Sequence, residues 1–187
     1  MPSPIGHALA GMAAGWMIAA PVTGRRRAVH AAVFALAATV PDLDLLGGTH
    51  RGASHSFTAA VIAGAATWIA HAFLHGRRPS PRRESGEGAP LRLALAVAAA
   101  YATHTLLDWL GSDSSDPIGI MALWPMSHDY YASDSHVFLS IWRRYWTPGF
   151  WTHNALAIAR EVAILGPLAA LAWWRKARLK YDGRGER

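Results

Sequence analysis

Residues 50–74 read HRGASHSFTAAVIAGAATWIAHAFL, a polar segment with two histidines and an arginine that runs straight into a stretch without charge from Phe57 to Leu74. A helix crossing a bilayer needs roughly 20 apolar residues, with about 17 as the lower limit. The stretch meets that length once its flanks are included. Its small residues Ala59, Ala60, Ala63 and Gly64 form the kind of face on which helices approach closely in lipid.

Four other stretches carry little or no charge: Ile5–Val22, Ala28–Val40, Leu93–Leu107, and Asn154–Trp174 with its adjacent Arg160 and Glu161. The first is borderline for a span and the second short, which leaves a partly buried or re-entrant helix open for each. Only 16% of the 187 residues are charged, against about 25% in soluble globular domains. The mean hydropathy of +0.13 is modest because Gly76–Leu91 and Gly111–His153 dilute the apolar segments. The expected architecture is an all-α, polytopic membrane bundle of about five helices forming one domain over residues 1–187. Residues 76–91 read as a linker, 111–153 as a long loop and 175–187 as a basic tail. The loop holds Trp124, Tyr130, Tyr131, Trp142, Tyr145 and Trp146, an aromatic content that favours a functional loop over a disordered one.

A net charge of +6 raises the question of nucleic acid. If five helices alternate, however, Arg25–Arg27, the Arg-rich 76–92 region and the tail from Arg175 to Arg187 all fall on one side. Arg51, Arg143 and Arg144 fall on the other. The positive-inside rule makes the basic side cytoplasmic, with the C-terminus there and the long loop opposite. Trp109 and Trp151 on one rim, with Trp173 and Trp174 on the other, suit an aromatic belt. The basic charge thus has a topological cause, and no nucleic-acid partner is expected. No Lys or Arg precedes the first apolar run, unlike a cleavable signal peptide, so the first helix is expected to stay in the protein.

The chain has no cysteine, so any metal must be held by imidazole and carboxylate. His7 begins the first helix, Pro41-Asp42-Leu43-Asp44 follows the second, His50 to His55 leads into the third, and His104 and Asp108 lie near the end of the fourth. All belong to the side opposite the basic loops. His104 and Asp108 are four apart, on one helix face. Carboxylates at membrane depth are costly unless paired or metal-bound. Singly, each residue is more simply a helix-terminal turn or cap; jointly, the set points to a divalent metal site. Imidazole with carboxylate suits Zn first, then Mn or Fe, as one ion or two. Glu161, inside an apolar helix, is a further candidate. His30, His71 and His75 fall near the other face, and His128, His136 and His153 share the side without a motif.

The early His, Pro-Asp-Leu-Asp, His-Arg-Gly-x-x-His-Ser, the later His-x-x-x-Asp, and Asp116-Pro117 with Gly119 ahead of Leu123-Trp124-Pro125 together resemble the YdjM-type inner-membrane metal-dependent hydrolases over roughly residues 5–165. The resemblance implies an inner-membrane location and a site lined by His7, Asp42, Asp44, His50, His55, His104 and Asp108. Glu161 corresponds to a later acid of the family. Leu45 and Leu46 stand where the family often has a histidine. The pattern is also distantly similar to the zinc-dependent phospholipase C and single-strand nuclease group.

The chemistry that follows for a catalytic site is hydrolysis of a phosphoester, a small molecule or a lipid head group at the bilayer surface, by metal-activated water. Asp44 is the expected proton acceptor. Arg51, between two candidate ligands, suits a bidentate grip on a phosphate oxygen or pairing with Asp42 or Asp44. Two other readings remain: a membrane protein whose metal is structural, bound or transported, and a soluble helical enzyme with unusually apolar helices. The oligomeric state is not encoded in these patterns.

Overall fold

The computed structural model describes residues 1–47, 50–75, 88–113 and 116–182. Among these the chain forms five α-helices: α1 (Pro4–Ile18), α2 (Arg25–Thr39), α3 (Phe57–His75), α4 (Ala89–Trp109) and α5 (Phe150–Asp182). Two 3-10 segments, Val40–Gly47 and Ala53–His55, lie between α2 and α3. There is no β-strand among the described residues, only isolated bridges at Gly111–Phe138 and Ile120–Tyr131. The all-α class expected from the apolar periodicity is the observed one.

Among the described residues, four segments are long and apolar enough to cross a membrane: Arg25–Gly47, Phe57–Leu74, Ala89–Trp109 and Phe150–Arg178. The second apolar stretch, short in the sequence, gains its length from the 3-10 continuation of α2. Pro41 lacks the amide that would extend the α-helical ladder, so the chain tightens there instead of stopping. The 15 residues of α1 reach only about 22 Å at 1.5 Å per residue, short of a hydrocarbon core of roughly 30 Å. The 33 residues of α5 reach about 50 Å, so its charged last turns clear the hydrocarbon.

Helix α1 sits in the middle, packed on α2, α4 and α5, while α3 packs chiefly on α4. Gly11 and Gly15 make the α1–α2 contact possible. A Cβ at Gly11 would overlap Ala38 and the Phe34 carbonyl, and one at Gly15 would overlap the Phe34 ring. Phe34 is fully buried, with Trp16, Ala96, Val97, Ala100 and Ala172 around it. A second cluster, Ala10, Leu107, Phe138 and Leu165, lies nearer the His-rich end and fastens the long loop to the bundle. The outward faces are apolar, as at Leu36, Val61, Phe73, Leu74 and Leu156, which suits contact with lipid.

Element boundaries differ from expectation in three places. Helix α5 starts at Phe150 and absorbs the end of the expected 111–153 loop, then continues to Asp182 through the start of the expected 175–187 tail. Helix α4 begins at Ala89, within the expected 76–91 linker. The rest of that linker, residues 76–87, and residues 183–187 lie outside the described residues.

Candidate metal centre

Each helix end at this pole delivers one or two polar side chains. Helix α1 begins with Ser3 as N-cap, its Oγ accepting from the Gly6 amide at 3.2 Å, and Pro4 in the first turn; both are ordinary starting signals. One turn on, His7 is fully buried. The Val40–Gly47 segment presents Asp42 and Asp44. The 50–56 segment brings His50 and His55, and α4 carries His104 and Asp108 on one face.

These groups converge. Asp108 lies 3.1 Å from His104 Nε2 and 3.4 Å from both His55 Nε2 and His7 Nε2. Asp42 Oδ1 lies 3.7 Å from His104 Nε2 and 3.8 Å from His55 Nε2. The His7 and His104 rings stack at 4.0 Å. Three overlapping triads have ligand atoms mutually within 4.8 Å: His7, Asp42 and His104; Asp42, His50 and His55; His55, His104 and Asp108.

The outer bonds of the rings fix which nitrogen faces inward. His104 Nδ1 lies 2.8 Å from the Ala38 carbonyl, which can only accept, so Nδ1–H donates and Nε2 presents a lone pair. His55 Nδ1 lies 3.1 Å from Asp44 Oδ2, and His50 Nδ1 lies 2.8 Å from Asp44 Oδ1. Asp44 accepts in addition from the Arg51 amide at 3.0 Å and the Ser54 hydroxyl at 2.8 Å. The inward atoms are not hydrogen-bonded: His7 Nε2, His55 Nε2, His104 Nε2 and both Asp108 oxygens are buried without a partner. Buried polar groups nearly always have one. The lone pairs of His55 and His104 facing a carboxylate repel it unless a positive charge lies among them. The donor set therefore fits a divalent cation held by oxygen and imidazole nitrogen, with His55 and His104 steadied by second-layer acceptors.

The other expected site residues, Asp44, Arg51 and Glu161, lie outside these triads. Asp44 is behind the imidazoles, absent from the three triads. Arg51 is buried, with φ of 71°, and pairs with Asp113; it also donates to the Pro117 carbonyl at 2.6 Å. Asp113 accepts from the Gly119 amide at 3.0 Å as well. Glu161 is fully buried against the start of α1, accepting from the Ser3 amide at 2.7 Å and from the Ser3 hydroxyl. A Cβ on Gly6 would sit 2.6 Å from Glu161 Oε2, so glycine there lets the carboxylate reach the helix end. Glu161 thus braces α1 one turn before His7. Sequence patterning gave no sign of Asp113 or Ser3, because neither lies in a periodic motif. The Met1 amine donates to the Ser112 carbonyl at 3.0 Å; burial lowers its pKa, against the pull of Asp108 and Asp113.

Beside the cluster lies a cavity of about 620 Å³ bordered by Asp42, Leu45, Arg51, Asp113, Trp142, Arg143 and Arg144. The Asp42 side chain, 24% exposed, joins the buried groups to this space. The first turn of α5 holds the far wall: Asn154 accepts from the Trp142 amide at 2.9 Å and donates to its carbonyl at 3.0 Å. His153 donates from Nε2 to the Ser140 carbonyl at 2.8 Å and stacks on Trp142.

Fold and site together define a multi-helix membrane protein with a His–Asp cluster buried at one end of its bundle. Residues 1–180 match the family described as YdjM inner membrane protein, and the chain belongs to that family. No curated protein and no solved structure matches it.

Proposed function

We propose that the cluster holds a divalent metal ion, zinc first by its donor set, and that the chain is a membrane-embedded metal-dependent hydrolase of phosphoesters. The observation that carries this reading is the set of buried inward atoms on His7, His55, His104 and Asp108 that lack any hydrogen-bond partner. Asp42 completes the ligands, and His50 with Asp42 and His55 would serve a second ion. When bound, such an ion supplies an acidified water and a Lewis acid for a phosphoryl oxygen.

The chain's own residues supply the rest. Asp44 and the Ala38 carbonyl hold His55 and His104 in the tautomer that offers Nε2. Asp42 borders the cavity and is the carboxylate placed to take a proton from attacking water. Asp44, engaged by His50, Arg51, Ser54 and His55, acts as an orienting group in this reading rather than as the base. In the reaction the water oxygen bonds to phosphorus, the P–O ester bond breaks, and the departing alcohol oxygen takes the proton. A structural metal would be closed off by protein ligands; the open side at Asp42 favours catalysis over the structural or transport reading. The wholly His and Asp donor set is also the point of likeness to the zinc-dependent phospholipase C group.

The location that goes with this reading is the inner membrane with the basic helix ends cytoplasmic and the cluster facing away. Elemental analysis of detergent-purified protein tests the centre. Wild type is expected to carry metal, and His104→Ala and Asp108→Ala to lose it while keeping their helical circular dichroism. Equal metal in all three removes the centre.

A further inference from the structure

Two arginines of the cavity wall lie outside the His–Asp triads. Arg143 and Arg144 border the cavity side by side, both exposed. Among the described residues neither is paired with a carboxylate; Arg143 has only a 3.4 Å contact to His50 Nε2. Arg51, by contrast, is neutralised by Asp113. The free positive charge of the cavity is therefore at its mouth, and it suits an anion with several acceptor oxygens.

The mouth also lies at a membrane-spanning segment's end. Leu45 borders the cavity and belongs to the Arg25–Gly47 span, and the neighbouring Leu46 is 87% exposed. Tyr145 and Trp146 directly follow the two arginines in the chain, and Trp146 is 68% exposed. Exposed leucine at the end of a span, with exposed rings next in sequence to paired cations, suits the headgroup layer, where aromatic rings and guanidinium sit at the interface.

We propose that Arg143 and Arg144 hold the phosphate of a membrane phospholipid whose acyl chains stay in the bilayer beside Leu45, Leu46 and Trp146. The proposal rests on the phosphoester reading of the adjoining cluster and narrows its substrate to one presented from the lipid. Free phosphate esters share the headgroup chemistry, so the test must separate a bilayer source from a soluble one.

The full chain, purified in detergent and exchanged into phosphatidylcholine micelles doped with phosphatidate, is examined by native mass spectrometry for retained phosphatidate. Arg143→Gln with Arg144→Gln is expected to lower retention about tenfold, the loss that goes with removing charge-assisted hydrogen bonds. Arg175→Gln with Arg178→Gln, at the other end of α5, is expected to leave it unchanged. Glycerol 3-phosphate, the same head without acyl chains, is expected not to compete. Equal retention in wild type and the Arg143/Arg144 variant overturns the proposal, and so does full competition by glycerol 3-phosphate. Arginine-dependent retention by a chain that hydrolyses no phosphoester supports this proposal and defeats the hydrolase reading. Hydrolysis of glycerol 3-phosphate with no arginine-dependent retention does the reverse.

Discussion

Asp44 shows how much a single carboxylate can organise from behind the His–Asp triads. It takes hydrogen bonds from His50, the Arg51 amide and Ser54 and lies 3.1 Å from His55 Nδ1, so it stands behind two rings at once. Removing a second-layer partner of this kind typically costs about 10- to 100-fold in metal affinity. Asp44→Asn is therefore expected to fold, to bind zinc within that range more weakly, and to show it in a competitive chelator titration; unchanged affinity would return Asp44 to the role of bystander. At this scale the sequence reveals a good deal. His104 and Asp108 are legible because four residues make one helical turn, and Asp42 because an acid at an apolar helix end needs a reason. Asp113 is not legible. Its partner Arg51 is 62 residues away, and no local period reports how an irregular loop folds back. Glu161 is conspicuous as a buried acid, but its bond to Ser3 depends on how α5 crosses α1.

Among the elements, the α1–α2 contact decides where the cluster sits, since α1 carries His7 and the end of α2 carries Asp42. Gly15→Val would drive a branched side chain into the Phe34 ring. Overpacking of this kind costs about 1–3 kcal/mol, and a lower melting temperature in detergent is the expected outcome. Phe34→Ala in the same chain should recover part of the loss by vacating the ring's volume; no recovery would mean that the contact is not the cause. The spans were readable from uncharged length alone, except that α2 looks too short until Pro41 is seen to convert its end to 3-10 geometry. The start of α5 at Phe150 was hidden by the polar and aromatic residues of its first turns, of which His153 and Asn154 bond to the loop.

For the whole molecule, the basic ends of α2, α4 and α5 share one pole and the His–Asp cluster the other. A reporter fused after Arg187 is expected to read as cytoplasmic, which would put the cluster on the outer side of the membrane; an external reading inverts the orientation and with it the source of any substrate. The candidate ligands come from α1, the end of α2, the 50–56 segment and α4, whereas the outer cavity wall comes from residues 140–147 pinned by the first turn of α5. Chemistry and address are thus written on different pieces of chain. A graft of that short wall from one relative to another would redirect what the pocket accepts while the His–Asp cluster stays where it was.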